Sequence, residues 1–240
     1  MTWLESLILG LVQGLTEYLP VSSSGHLEIA NALFGIQGEE NLTFAVLVHT
    51  ATVCSTIVVL WKEVEILFRG LFRFTWNSET KYLAKIALSM IPVGIVGLFL
   101  KDYVESFFGN GLLLVGIMLL VTAALLTFAY YARPRVKEDI SYRDAFIIGL
   151  SQAVAVLPGL SRSGSTITGG RIMGLSREEA VKFSFILSIP AIIGANITNI
   201  GAVVDITKAD LLPYGLGMLA AFVTGLAAVS YTHLTLPTIA

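Results

Sequence analysis

From Leu112 to Ala132 the chain carries no charged side chain at all. A helix crosses a hydrocarbon core with roughly 20 apolar residues, so this run is long enough to span a membrane. It is not alone. Phe44–Trp61, Phe183–Ile200 and Leu83–Leu100, the last interrupted only by Lys85, are comparable, and Tyr214–Val229 is a shorter fifth. Charged residues make up 13% of the chain and hydrophobic ones 55%, with a mean hydropathy of +0.79. Soluble domains carry about 25% charge, which argues against a buried soluble bundle. The expected fold class is all-α: a polytopic helical membrane protein, one integral membrane domain over residues 1–228.

Lysine and arginine orient the spans, because cytoplasmic loops accumulate them. Lys62, Arg69, Arg73 and Lys81 follow the Phe44–Trp61 span, and Arg133, Arg135, Lys137 and Arg143 follow the Leu112–Ala132 span. Between them, Lys101–Gly111 holds a single lysine, and residues 1–43 hold none. The first and third of these loops are expected inside, the second and the N-terminal region outside. Trp3, Trp61, Tyr130 and Tyr131 stand at span ends, as interfacial anchors do. The basic clusters are too short and dispersed for nucleic-acid binding. Cys54 is alone, which leaves no disulfide framework; it reads as a small packing residue. No Lys or Arg precedes the first apolar run, so no cleavable signal peptide is expected.

An offset of 139 residues aligns the chain with itself. Gly10, Leu11 and Gln13 meet Gly149, Leu150 and Gln152; Ser22, Ser24 and Gly25 meet Ser161, Ser163 and Gly164. Gly35, Glu39, Glu40 and Phe44 then meet Gly174, Glu178, Glu179 and Phe183. Repeat 1 covers about 1–61 and repeat 2 about 140–200. Three spans separate the copies, an odd number, so the expectation is an inverted-topology repeat with a site near the bilayer midplane. Each copy opens with a helix that ends too soon, at Pro20 or Pro158, before a polar turn. Backbone interrupted at membrane depth needs protein or a wet cavity around it. Two re-entrant helix hairpins whose tips converge would provide that.

The tips carry the candidate chemistry. Gln13 and Glu17 stand four apart and share a helix face, with Ser23 and His26 just beyond. The second tip supplies Ser161, Arg162, Ser163, Gly164 and Thr166. An ionisable group inside a membrane segment is a functional candidate by default. Arginine with hydroxyls at a helix start suits a phosphate, while carboxylate, serine and imidazole together can activate a nucleophile. Blander roles compete: Ser22, Ser24 and Ser165 as caps, His26 as the cap of a following helix, Glu39, Glu40, Glu178 and Glu179 as first-turn acids. His49, mid-span with no second titratable group in view, reads as a hydrogen-bonded core histidine.

"QGLTEYLPVSSSGH" and "PGLSRSGSTITGG" resemble the two signature motifs of the undecaprenyl-diphosphate phosphatase family, the bacitracin-resistance type of integral membrane phosphatase. The likeness extends to about Ala228 and includes "FSFILSIP". It implies hydrolysis of the C55 polyprenyl diphosphate to its monophosphate on the outer side of the bacterial plasma membrane, recycling the carrier for peptidoglycan synthesis. It implies a divalent cation (Mg2+ or Ca2+), a polyprenyl diphosphate partner in the membrane, and a homodimer. Its acidic motif, whose first position takes Glu or Gln, falls on Gln13 and Glu17; its serine and histidine fall on Ser23 and His26; its arginine motif falls on Ser161, Arg162 and Thr166. Glu17 would act as base or metal partner. Either Ser23 or His26 would be the nucleophile, and Arg162 would hold the diphosphate. The acid-phosphatase-like lipid phosphatases also use "SGH" and "SR", but Leu126 stands where they need a lysine and no His-x-x-x-Asp follows Arg162. A lipid-phosphate flippase or anion transporter is the alternative function, since broken helices in inverted repeats also build carriers. In the final stretch, residues 229–240, the string Val229–Thr238 resembles a reading frame of a transposon-type sequencing adapter. It is expected to be foreign and to leave His233 without a role.

Overall fold

The computed structural model describes residues 1–36, 39–100, 103–104, 106–107, 111–131, 137, 139–199, 201 and 206–235, with backbone alone for 39–41 and 233–235. Lys101, Arg133 and Arg135, the expected span ends Ala132 and Ile200, the side chains of Glu39, Glu40 and His233, and tail residues 236–240 lie outside it. Among the described residues there are ten helices and no strand beyond one isolated bridge, Lys137 to Leu175. They are α1 Trp3–Tyr18, α2 Ser23–Phe34, α3 Glu39–Val59, α4 Trp61–Leu71 and α5 Ser78–Phe99, then α6 Leu112–Tyr131, α7 Tyr142–Val154, α8 Arg162–Ile172, α9 Arg177–Thr198 and α10 Leu211–Thr235.

Five of these, α3, α5, α6, α9 and α10, are long and apolar enough to cross a membrane. They overlap the five apolar runs of the sequence. On α6, Leu113 is 78% exposed and Leu120 72% exposed. A helix this apolar and this bare on its outer side is stable only against lipid. The protein is a multi-pass membrane protein.

α9 starts six residues before the apolar run at Phe183. Ser176 caps it by accepting the Glu179 N–H at 3.1 Å, and Glu178 and Glu179 occupy its first turn, where acids favour the helix dipole. α4 occupies what read as a loop. Its last turn carries Arg69, which bonds to Glu65 one turn earlier, while Trp61, Ile66 and Phe68 stay exposed. Cys54 corrects its expected packing role: it is exposed on the outside of α3.

The helices flanking the spans recur in form at the 139-residue offset. Thr2 and Glu5 make a capping box on α1, and Ser141 and Asp144 make one on α7. Ser22 accepts the Gly25 N–H at the start of α2, and Ser161 accepts the Gly164 N–H at the start of α8. Gly35 and Gly174, at φ 71° and 93°, follow the ends of these two helices. At 1.5 Å per residue, α1 (16 residues) and α7 (13 residues) are too short to cross a core of roughly 30 Å.

α1 lies along α10, and α7 along α5. The contacts are close because glycine permits them. A Cβ added to Gly10 would fall 2.9 Å from the Gly217 Cα, and one added to Gly149 would fall 2.8 Å from the Ser89 Cα. Gly10→Val is therefore expected to push α1 off α10, costing about 1–3 kcal/mol. A lower thermal unfolding midpoint in detergent would register it; an unchanged midpoint would show that the two backbones can separate freely.

Candidate active site

The two helix breaks meet. A Cβ on Gly25, just past the first break, would lie 3.0 Å from the Gly159 Cα in the second, and one on Gly164 would lie 3.3 Å from the Pro20 carbonyl oxygen. Ser22 turns the chain between α1 and α2 at φ 71°, a left-handed conformation unusual for a residue with a side chain. That turn brings Ser23, the first residue of α2, back onto α1.

Glu17 is the hub. Its Oε2 accepts the Ser23 hydroxyl at 2.5 Å and the Gln13 amide at 3.0 Å. Its Oε1 accepts Nη2 of Arg162 at 2.5 Å, across 145 residues of chain. The Glu17 side chain is 5% exposed and that of Arg162 18%. Burying a carboxylate this deeply is tolerable only with an opposite charge and donors in place. The second guanidinium nitrogen, Nη1, is buried with no partner among the described residues. One arm of the fork thus holds Glu17 and the other is uncommitted.

Glu17, Ser23 and Arg162 share the wall of a cavity of about 590 Å3 with Ser22, Ser24, Ser161, Ser163, Gln152 and His49. The rest of the wall is mostly apolar, largely from α3, α5 and α9, and includes Val93, Gly94, Gly97 and Gly194, with Asn196, Thr198 and Asn199 adding polar groups at the end of α9. α5 and α9 each contain a proline, Pro92 and Pro190, and the cavity wall lies mostly beyond it in both. A proline removes one backbone hydrogen bond and crowds the preceding turn.

The other motif residues brace this wall, Ser161 and Ser163 from within it. Gln13 does not line the cavity but orients Glu17. The Gly164 N–H donates to Ser161, and Ser161 in turn donates its own N–H to Thr122 at 3.0 Å. Thr166 bonds back to the Arg162 carbonyl at 2.9 Å and shares a 2.6 Å bond with Ser184, bracing the first turn of α8. Ser163 reaches the Glu17 carbonyl at 3.4 Å. The hydroxyl of Ser165 does not act as a cap; it is buried with no partner among the described residues. His26 holds the Ser22 carbonyl through Nδ1 at 2.8 Å and is not part of the cavity wall.

His49 corrects the sequence reading. It is not an isolated core histidine: its Nε2 lies 3.6 Å from Glu17 Oε2, on the cavity wall. Residues 17 and 49 share no motif, and only the packing of α3 against α1 brings them together.

For a cation, the oxygen donors here are the Glu17 carboxylate, the Ser23 hydroxyl and the Gln13 Oε1, which is buried without a partner among the described residues. No group of three His, Cys, Asp or Glu is gathered among the described residues, so no all-protein cage exists there. A hard cation held by one carboxylate and completed by substrate phosphates, as Mg2+ often is, fits this donor set.

The sequence model of the family described as bacitracin resistance protein BacA matches residues 6–236. The chain is 58% identical over 238 residues to an undecaprenyl-diphosphatase of Bacteroides thetaiotaomicron, covering 96% of this chain and 89% of the relative. It is 59% identical over 235 residues to that of Parabacteroides distasonis, covering 96% and 88%. With the protein of that name from Pelotomaculum thermopropionicum it shares 41% over 230 residues, covering 95% and 83%. A match along nearly its whole length, together with the two motifs meeting at one cavity, places this chain in the bacitracin resistance protein BacA family.

Proposed function

We infer that this chain is a membrane phosphatase that hydrolyses undecaprenyl diphosphate to undecaprenyl phosphate and inorganic phosphate. The observation that carries the reading is the 2.5 Å contact between Ser23 and Glu17, with Arg162 bonded to the other carboxylate oxygen. A hydroxyl on a base beside an uncommitted guanidinium nitrogen is an arrangement for attack on a phosphorus centre. A carrier of lipid phosphates would need the guanidinium but has no use for the activated hydroxyl.

Ser23 Oγ attacks the terminal phosphorus while Glu17 Oε2 takes its proton. The Oγ–P bond forms and the bond from phosphorus to the bridging oxygen breaks, releasing the lipid monophosphate. Arg162 swings or shares its Nη1 onto the phosphate oxygens and balances their charge. Water then displaces the phosphoryl group from Ser23, and phosphate leaves. The base-to-hydroxyl contact favours Ser23 over His26 as nucleophile; His26 fixes the Ser22 carbonyl and with it the turn that aims Ser23. A bound Mg2+ or Ca2+ would be held by Glu17 and Gln13 and would neutralise charge on the diphosphate.

The two hairpins, α1–α2 and α7–α8, are read as re-entrant halves of an inverted repeat. The cavity is walled largely by the first half of α3 and the last halves of α5 and α9, away from Lys62, Arg69, Arg73 and Lys81 on α4, its following turn and the start of α5. With lysine and arginine on the cytoplasmic side, this supports an opening toward the outer face of the plasma membrane.

Purified protein in detergent should release phosphate from undecaprenyl diphosphate, and a chelator should suppress this until Mg2+ or Ca2+ is restored. Binding of the lipid without release would favour the carrier. Ser23→Ala should reduce turnover by about 10²-fold or more and leave no phosphorylated protein to trap. Turnover near the parent level would transfer the nucleophile's role to His26.

A further inference from the structure

The steps above leave His49 on the cavity wall without a task. Its Nδ1 lies 2.7 Å from the Ala45 carbonyl, one turn earlier on α3. A carbonyl only accepts, so Nδ1 carries a proton, and in the neutral ring Nε2 presents its lone pair to the cavity. The side chain is 25% exposed there, against 5% for Glu17. Nε2 stands 3.6 Å from Glu17 Oε2. That is too long for a hydrogen bond between them, and with the ring neutral both atoms are acceptors. Two acceptors this close can share one water. A water oxygen about 2.8 Å from each would see them at an angle of roughly 80°, narrower than the roughly 105° between its own O–H bonds, so both hydrogen bonds would be slightly bent. The Oε2 atom is also the one bonded to Ser23, so a water held there sits beside the phosphoryl group that Ser23 would carry.

The geometry points to His49 as a positioning residue for the hydrolytic water: with Glu17 it holds the molecule that attacks phosphorus in the second step. The inference rests on the phosphatase reading and on a covalent first step. In that second step the water oxygen forms a bond to phosphorus and the bond to Ser23 Oγ breaks. The departing lipid phosphate carries off the proton that Glu17 took in the first step, so the carboxylate is free; one water proton then passes to Glu17 Oε2 and on to the leaving Ser23 Oγ, while His49 keeps the remaining hydrogen aimed away from the phosphate. A ring that merely packed α3 would have no reason to leave Nε2 open to the cavity.

The test is His49→Phe, which keeps a ring without an acceptor, beside His49→Gln, whose amide oxygen restores one. With undecaprenyl diphosphate and rapid mixing, His49→Phe should still form undecaprenyl phosphate in a first burst close to one per enzyme. Steady-state phosphate release should then fall by about 10²-fold, and intact mass spectrometry should find the phosphorylated protein accumulating. His49→Gln should recover most of the steady-state rate and lose the accumulated adduct. Steady-state turnover of His49→Phe within twofold of the parent would overturn the assignment, and so would loss of burst and steady state together in a protein that still melts at the parent temperature. If His49→Phe does not fold, His49→Gln decides alone: an accumulated adduct and a rate as low as an inactive variant would count against an acceptor role. A parent protein that releases no phosphate would instead defeat the functional reading itself.

Discussion

Replacing Glu17 by glutamine is expected to lower phosphate release from undecaprenyl diphosphate by about 10²–10⁴-fold, the usual worth of a positioned base. Glutamine fills the same volume and can still accept from Ser23, so the loss isolates the carboxylate's charge and basicity. The same change leaves Arg162 facing a neutral group. Breaking one side of a buried ion pair costs about 3–5 kcal/mol, and the 5% exposure of Glu17 places this pair in that regime. Activity must therefore be scaled to folded protein, with thermal unfolding in detergent measured alongside. A folded Glu17→Gln protein that turns over at the parent rate would remove Glu17 from the chemistry.

Arg162→Lys is expected to be nearly as severe, with kcat/KM lower by about 10²–10³-fold. The charge is unchanged; the geometry is not. Arginine places Nη2 on Glu17 while Nη1 remains free for a phosphate oxygen. Lysine has one nitrogen on a flexible stem and cannot serve both from a fixed plane. Its ammonium would stay with Glu17 and leave the incoming diphosphate without its clamp, so KM should rise as kcat falls. A lysine variant with parent KM would mean that phosphate is held elsewhere on the wall, by the serines of the second tip.

The spans were plain in the sequence because lipid imposes a length and a charge deficit that few other environments demand. The uncharged run at 112–132 contains the helix Leu112–Tyr131. The tips were legible for a different reason: Pro20 and Pro158 lie just beyond two apolar helices too short to cross a bilayer, which end at Tyr18 and Val154. Glu17, Ser23 and Arg162 then stood out as polar groups in a place that penalises them. Three features were not read. The amphipathic α4 was hidden by its charges, which marked a loop. Cys54 and His49 lie one and a half turns apart on one span, and whether each faces lipid, core or cavity depends on how α3 packs. Hydrophobicity all around a helix carries no record of its rotation. His49 could have been flagged only by treating every titratable residue within a span as a site candidate.

Glu17 and Arg162 are separated by 145 residues, and in a chain made from one end that interval is also a delay. At about 5–20 residues per second, roughly 7–30 s pass between synthesis of the acid and of its counter-charge. On the re-entrant reading proposed above, the first hairpin holds throughout that wait a carboxylate that the bilayer interior would reject. It would linger where water can reach it, and commit to its final depth only after the second hairpin has emerged. Maturation of the protein should thus be gated late, by the arrival of one arginine.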